Sequence, residues 1–174
     1  MASTLKVQNI AHTDGTTGLT VDSAGRVTKP AIPCWNVSAD NNNTSNTTTG
    51  AWTDLNRFQT AKACDFLNGG CTFTSNTYIT VPVTGFYQVN ATIRADVVTS
   101  GYLWMFLSKN NSENPATSGP ADIWNNPNPN YHTHTMTGLM SLSAGDTVRI
   151  KYYSSADNDW HVSNASFFSG FLAG

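Results

Sequence analysis

Charge is scarce in this sequence. Asp, Glu, Lys and Arg make up 11% of the residues, against about 25% in an average soluble domain, and Glu113 is the single glutamate. The formal net charge is −2 and no run of basic residues occurs. Nucleic-acid binding through phosphates needs a clustered positive face, so that function is excluded. A glycosidase built on paired carboxylates would have to draw on aspartates scattered through loops. Gly-x-Ser-x-Gly, His-Glu-x-x-His and phosphate-loop motifs are all missing, and an enzyme is not expected. No apolar stretch approaches the roughly 18 residues of a membrane span, so no membrane insertion is expected. The opening Met1-Ala2-Ser3-Thr4-Leu5-Lys6 lacks the apolar core of a secretory signal, which predicts a chain made in the cytosol and not exported by that route. The cysteines are three, Cys34, Cys64 and Cys71. An odd number argues against a closed disulfide framework. Cys64 and Cys71 could bridge around Asn68-Gly69-Gly70, but small buried thiols are the favoured reading. Without a Cys-x-x-Cys pair, a structural zinc site on thiolates is not expected.

What the sequence has in quantity is Asn, Thr and Ser, about a third of its 174 residues. These suit strand surfaces and turns and suit helix interiors poorly. The length accommodates one core-bearing domain with a little left over. Residues 1–30 read as a separate small piece. Apolar residues alternate in Leu5-Lys6-Val7-Gln8-Asn9-Ile10 and again in Leu19-Thr20-Val21, with turn signals at Asp14-Gly15 and Asp22-Ser23-Ala24-Gly25. Pro30 and Pro33 mark the boundary to the main domain, 31–174. A hairpin this small cannot bury enough apolar surface to stand alone, so it must pack on the main domain, on its own copies or on a larger assembly.

Within the main domain, Ser38 to Gly50 is almost all Asn, Thr and Ser and is predicted to be an exposed loop. Asn-x-Ser/Thr triplets such as those at Asn46 and Asn90 follow from the Asn-rich composition and would stay unmodified without export. Leu55, Phe58 and Lys62 to Phe66 leave room for a short helix. From Tyr78 onward the pattern is that of strands. Tyr87, Val89, Ala91 and Ile93 share one face, with Gln88, Asn90, Thr92 and Arg94 on the other, as in a half-buried strand. Tyr102-Leu103-Trp104-Met105-Phe106-Leu107 is apolar on both faces and must be covered on both sides. Residues 110–130 read as a long Asn/Pro-rich loop carrying Trp124. Alternating runs resume through His132, His134, Met136 and Met140, again from Val148 to Tyr152, and in the aromatic stretch Phe167 to Leu172. Eight to ten short strands with regular turn signals and no long helix predict a β-sandwich or jelly roll.

Four motifs carry a resemblance. They are Ile79-Thr80-Val81-Pro82-Val83-Thr84-Gly85-Phe86-Tyr87-Gln88-Val89, Leu107-Ser108-Lys109-Asn110, Leu142-Ser143-Ala144-Gly145-Asp146-Thr147-Val148 and Phe168-Ser169-Gly170-Phe171-Leu172. In this order and spacing they resemble the globular head of complement component one-q and its tumour-necrosis-factor-like relatives, over roughly residues 50–174. Val89 stands where that family usually has Phe, and neither a signal peptide nor a collagen-like stalk accompanies the head. The resemblance implies an all-β jelly roll of about ten strands that works as a homotrimer. It implies that the strand from Tyr102 to Leu107 lies in the sheet nearest the three-fold axis, with the strand through Phe168 and Phe171 beside it. Tyr102, Trp104, Phe106 and Phe168 are then the expected trimer contacts. The segment from Leu5 to Val27, followed by Pro30, resembles the opening of virion structural proteins of marine tailed bacteriophages. That implies a fibre, spike or capsid decoration, anchored to other virion proteins through residues 1–30, whose head binds a host-surface glycan or protein. A free-standing bacterial or secreted lectin-like module is the alternative.

The candidate ligand-binding residues are the loop aromatics Trp124, Tyr131 and Trp160 together with His161, because loops on a rigid sandwich carry specificity and Trp and Tyr are enriched at binding hot spots. Asp157-Asn158-Asp159 gathers oxygen ligands of the kind calcium takes, a role that Asp157 and Asp159 could equally forgo in a plain Asx turn. His132 and His134, two residues apart, share a strand face, so three copies around an axis could surround one metal. The resemblance puts that strand away from the axis, and surface histidines are expected there. No cofactor other than this possible calcium is expected.

Overall fold

The computed structural model describes residues 8–11, 13, 17–28, 32–40, 50–96, 102–125, 131–155 and 160–174. The chain divides into two compact units, Met1–Ile32 and Pro33–Gly174. The first holds β1 (Asn9–Ala11), β2 (Thr17–Val21) and β3 (Val27–Thr28) in an antiparallel sheet of order β1-β2-β3. Its second turn is built by Asp22, whose Oδ1 accepts from the N–H groups of Ala24 and Arg26 at 2.9 Å each, while Gly25 takes a left-handed φ of 78°. Ile10 and Val27 are exposed. Asp14 and Gly15 lie outside the described residues.

The second unit is an antiparallel jelly-roll sandwich. Its strands are β4 (Cys34–Ala39), β5 (Thr53–Asp54), β6 (Phe58–Gln59), β7 (Phe66–Asn68), β8 (Thr72–Thr74), β9 (Tyr78–Thr80), β10 (Gly85–Asp96), β11 (Tyr102–Lys109), β12 (Ala121–Asn125), β13 (Tyr131–Leu142), β14 (Thr147–Ser154), β15 (His161–Val162) and β16 (Phe167–Leu172). One sheet runs β13-β10-β16-β4-β6, with β7 also on β4 and β15 on β10; the other runs β12-β11-β14-β9-β8, with β5 on β14. The chain changes sheet between β4 and β5, β5 and β6, β7 and β8, β9 and β10, β10 and β11, β12 and β13, β13 and β14, and β14 and β15, so the two sheets are interleaved along the sequence. No helix forms between Leu55 and Phe66, where β6 and the start of β7 lie; the only helix among the described residues is α1 (Pro115–Ser118), capped by Asn114 accepting from the Ala116 N–H at 3.0 Å.

Alternation decides which side chains enter the core. Tyr87, Val89, Ala91 and Ile93 of β10 and Leu103, Met105 and Leu107 of β11 are fully or almost fully buried in one cluster with Trp35, Val37, Ile150 and Phe168. Trp35 packs on Phe168 with ring centroids 5.7 Å apart and on Tyr87 at 6.2 Å.

All four of the sequence motifs have local physical reasons. The buried Tyr87 donates its hydroxyl proton to the Val83 carbonyl at 2.8 Å and so closes the β9–β10 connection. Gly170 lies under the Trp35 ring, and a Cβ there would run into the ring and stand 3.0 Å from the Gln88 carbonyl oxygen. The end of β11 is locked to the β13–β14 turn. Asn110 donates to Asp146 Oδ1 at 2.7 Å and accepts from the Thr147 N–H at 2.8 Å, and Lys109 pairs with Asp146 Oδ2 at 2.8 Å. Asn110 does this from a left-handed φ of 51°, a conformation that Asn tolerates better than most residues.

Several expectations are corrected. β16 is not beside β11: it lies between β10 and β4 in the opposite sheet. Phe168 is fully buried in its own chain's core and has no surface to offer a neighbour. Ser38, expected in an exposed loop, is a buried member of β4; residues 41–49 lie outside the described residues. Trp124 is not in a loop but in β12, paired with Leu103. The cysteines are all free, as the favoured reading had it, but Cys64 is exposed and Cys34 half-buried, so only Cys71 is a buried thiol.

Candidate functional site: an aromatic cleft on the outer sheet face

Putting Leu103, Met105 and Leu107 in the core turns Tyr102, Trp104 and Phe106 outward from the sandwich. Their cover comes from the same chain. The segment from Gly50 to Leu55, a strap that includes β5, runs antiparallel alongside β14 in the same sheet, with Asp54 opposite Lys151 and Thr53 opposite Tyr152. It is bound at its ends by the Gly50 N–H to the Ser154 carbonyl and the Leu55 N–H to the Ile150 carbonyl, both at 2.9 Å. Trp52 projects from it onto the outward aromatics, edge-on to Phe106 at 4.8 Å, to Trp104 at 5.2 Å and to Tyr153 at 5.5 Å between ring centroids. Tyr153, paired with Trp104 across β11 and β14, stacks on Tyr102 at 5.8 Å with ring planes 10° apart. Phe106 is thereby fully buried, so its expected role as a contact to a neighbouring subunit is overturned. Tyr102, Trp104, Trp52 and Tyr153 stay half-exposed and wall a cleft of about 220 Å³. Burial first, then the neighbouring Tyr153, raises the Tyr102 hydroxyl above its ordinary pKa, so it remains a neutral donor.

Beside the cleft, Asp54 fixes the strap. Its Oδ2 accepts from Arg149 Nη1 at 2.7 Å, and its Oδ1 stands 2.9 Å from Lys151 Nζ, whose side chain is only 4% exposed. The guanidinium of Arg149 also lies over the Tyr78 ring, 4.6 Å from its centroid. Two cations thus hold one carboxylate against the sheet, and the backbone that carries Trp52 is anchored two residues away.

Of the sequence-derived ligand and calcium candidates, Trp160 and His161 are the two whose side chains are described. Trp160 is fully buried, edge-on to Tyr152 at 4.9 Å, and is a core residue. His161 is half-buried in β15, paired with Asp96, and Tyr131 begins β13, also opposite Asp96. Asp157 and Asp159 lie outside the described residues. His134 is not a surface residue. It is fully buried, with Nδ1 at 3.1 Å from Asp122 Oδ2, and the His132 ring meets it edge-on at 4.6 Å. Burial, reinforced by His132, brings the pKa of His134 down to about 4, and burial also lowers that of His132.

A second cleft, of about 370 Å³, opens on the outer face of the other sheet between Asn36, Ser38, Lys62, Cys64, Asn164 and Phe167. Its polar groups are engaged with one another. Ser38 is bonded to Asp65, Asn36 donates to the Cys64 carbonyl at 2.9 Å, and Lys62 Nζ donates to the Asn164 carbonyl. The aromatic cleft is walled by four rings, whereas the second has Phe167 as its one aromatic.

No family model and no curated protein matches this chain.

Trp52, Asp54, Asp122 and Tyr153 were missed by sequence reasoning. Trp52 did carry a signal: it is the first large apolar residue after the Asn/Thr/Ser stretch, and it directly follows Gly50-Ala51. Asp54 and Asp122 carried none, since each acts on a strand to which no sequence pattern links it.

Proposed function

We propose that this chain is a virion structural protein of a tailed bacteriophage, a fibre, spike or capsid decoration. In this reading a trimeric jelly-roll head binds a saccharide of the host surface in the cleft of Trp52, Tyr102, Trp104 and Tyr153. The cleft is the observation that carries the binding role. Aromatic faces and edges accept the C–H face of a sugar ring, and a stacked or edge-on aromatic contact is worth roughly 0.5–1.5 kcal/mol beyond its area. Tyrosine hydroxyls at the rim can bond to sugar hydroxyls, and little conformational entropy is lost because the rings already hold each other.

The virion role is supported by the resemblance of residues 1–30 to phage virion proteins and by the exposed Ile10 and Val27 of that unit, which suit docking on other virion proteins. The trimer is supported by a different face from the one first expected. Phe86, Leu139 and Phe171 all project outward from the β13-β10-β16-β4 sheet and are 53%, 60% and 47% exposed. Leu139 and Phe171 flank Gln88 in one cross-strand row. Contiguous apolar area of this kind marks an interaction surface.

The head should adsorb to host cells and to a subset of a glycan array. Trp104→Ala and Tyr102→Ala should each weaken adsorption at least tenfold, with the melting temperature changed by only a few degrees. Unaltered adsorption in both variants would refute the cleft. Sedimentation of the native chain as a monomer at micromolar concentration would refute the trimer. Immunoelectron microscopy that finds no copies on purified particles would refute the virion role.

A further inference from the structure

We propose that Asp122, His132 and His134 form a binding site for one divalent transition-metal ion of the zinc class, clipping together the facing edge strands of the two sheets. β12 ends one sheet and β13 ends the other. Asp122 pairs with Met105, so it shares the inward face of β11; His132 and His134 pair with Ala95 and Ile93, so they share the inward face of β10. One carboxylate and two imidazoles therefore meet inside the open edge of a sandwich whose other contents there are Ile93, Met105 and Met136.

The ligand atoms are already close. Asp122 Oδ2 and His134 Nδ1 are 3.1 Å apart, and one atom from each of the three side chains lies within 4.8 Å of the others. Ligands about 2.0–2.2 Å from a tetrahedral zinc stand roughly 3.3 Å from one another. The first pair is thus at near-binding separation, and a modest turn of the half-buried His132 ring would complete the set. His134 is fully buried, yet its Nε2 has no hydrogen-bond partner among the described residues, whereas buried polar atoms are nearly always bonded. With the ion on Nδ1, the nitrogen that faces Asp122 Oδ2, the ring proton sits on Nε2. Nitrogen donors favour zinc, nickel or cobalt over calcium and magnesium, which prefer all-oxygen sets. The Asp122 side chain is 31% exposed, so an ion can enter from that side and keep water in its fourth position.

The test uses the full chain stripped with a chelator and dialysed. Zinc, cobalt(II) and calcium are each titrated calorimetrically, bound metal is measured by elemental analysis, and the cobalt form is examined for ligand-field absorption. Expected are one zinc per chain, a melting temperature raised by several degrees, and the visible bands of a four-coordinate nitrogen–oxygen cobalt site. His132→Ala, at a half-buried position, should keep the fold by circular dichroism and weaken zinc affinity at least tenfold. Asp122→Asn should do the same and serves as the second variant should His132→Ala unfold. Zinc uptake well below one equivalent would overturn the proposal, as would zinc affinity equal to that of the native chain in both folded variants or tighter binding of calcium than of zinc.

Discussion

Removing the Asp54 carboxylate should destabilise the head by about 3 kcal/mol, toward the lower end of the cost of breaking a buried ion pair from one side. The reasoning starts with Lys151, whose side chain is 4% exposed and whose ammonium stands 2.9 Å from Asp54 Oδ1. Its only other anionic neighbour among the described residues is Glu113, at 3.8 Å and 65% exposed, a pair of the kind that contributes little. Asp54→Ala therefore strands a positive charge inside the strap. The lower end of the range applies because Asp54 is itself 29% exposed, so water can enter when it is lost. Asp54→Asn keeps an acceptor for Arg149 and should cost roughly half as much. In a Lys151→Met background the same Asp54→Ala change should cost only about 1 kcal/mol, since the one cation left without its carboxylate is Arg149, which keeps Asn111 and the Tyr78 ring. Denaturant unfolding of the four chains gives the coupling energy directly. A cost below about 1 kcal/mol for Asp54→Ala in the native background would refute the reasoning, as would an equal cost in both backgrounds. Because Trp52 rides on the same strap, its fluorescence should shift toward that of solvated indole in Asp54→Ala alone.

Trp160→Ala should cost about 3–5 kcal/mol, a core-sized loss, measured as a drop in melting temperature. A loss of ligand without a loss of stability would restore Trp160 as a surface contact. Gly170→Ala should fail to fold or melt far below the native chain, because the added methyl meets the Trp35 ring; a melting temperature within a degree or two of native would contradict the packing described. For Asp146, burial opposes the charge, but the Asn110 amide, the Lys109 ammonium and the Ser143 N–H outweigh it and bring the carboxyl from 3.8 to about 2. A depressed acid stabilises the fold above its unfolded pKa, and that contribution fades as pH falls. The stability advantage of the native chain over Asp146→Asn should hold above about pH 4 and vanish near pH 2, as followed by melting curves across that window. Deleting residues 1–30 should leave a head that unfolds cooperatively and no longer enters particles; a truncated chain that does not fold would make that segment part of the domain core.

What was legible in the sequence depended on period. The strict alternation of Tyr87, Val89, Ala91 and Ile93 gave both the existence of β10 and its buried face, because a strand leaves no other way to segregate those side chains. The run from Tyr102 to Leu107 was legible as a strand covered on both sides. The identity of its cover was not, since Trp52 reaches it from a distant segment and no local pattern encodes that meeting. Trp160 misled for the opposite reason. Its neighbours are polar, and a lone tryptophan has no periodicity by which to tell a core residue from an exposed one. The contact of Asp122 with His134 joins edge strands of two different sheets, so it became visible only when the order of both sheets was known.

The position of β16 bears on how the protein is made. Residues 167–172 fill the gap between β10 and β4, so until they emerge from the ribosome those two strands have no shared neighbour and Trp35 has no Gly170 beneath it. A nascent chain halted short of that point exposes two unpaired strand edges and an unsealed core, the state most prone to aggregation and proteolysis. Such long-range closure also makes folding slow. The sheet is thus closed only once β16 has emerged, and a chain terminated before Gly170 leaves β10 and β4 unjoined.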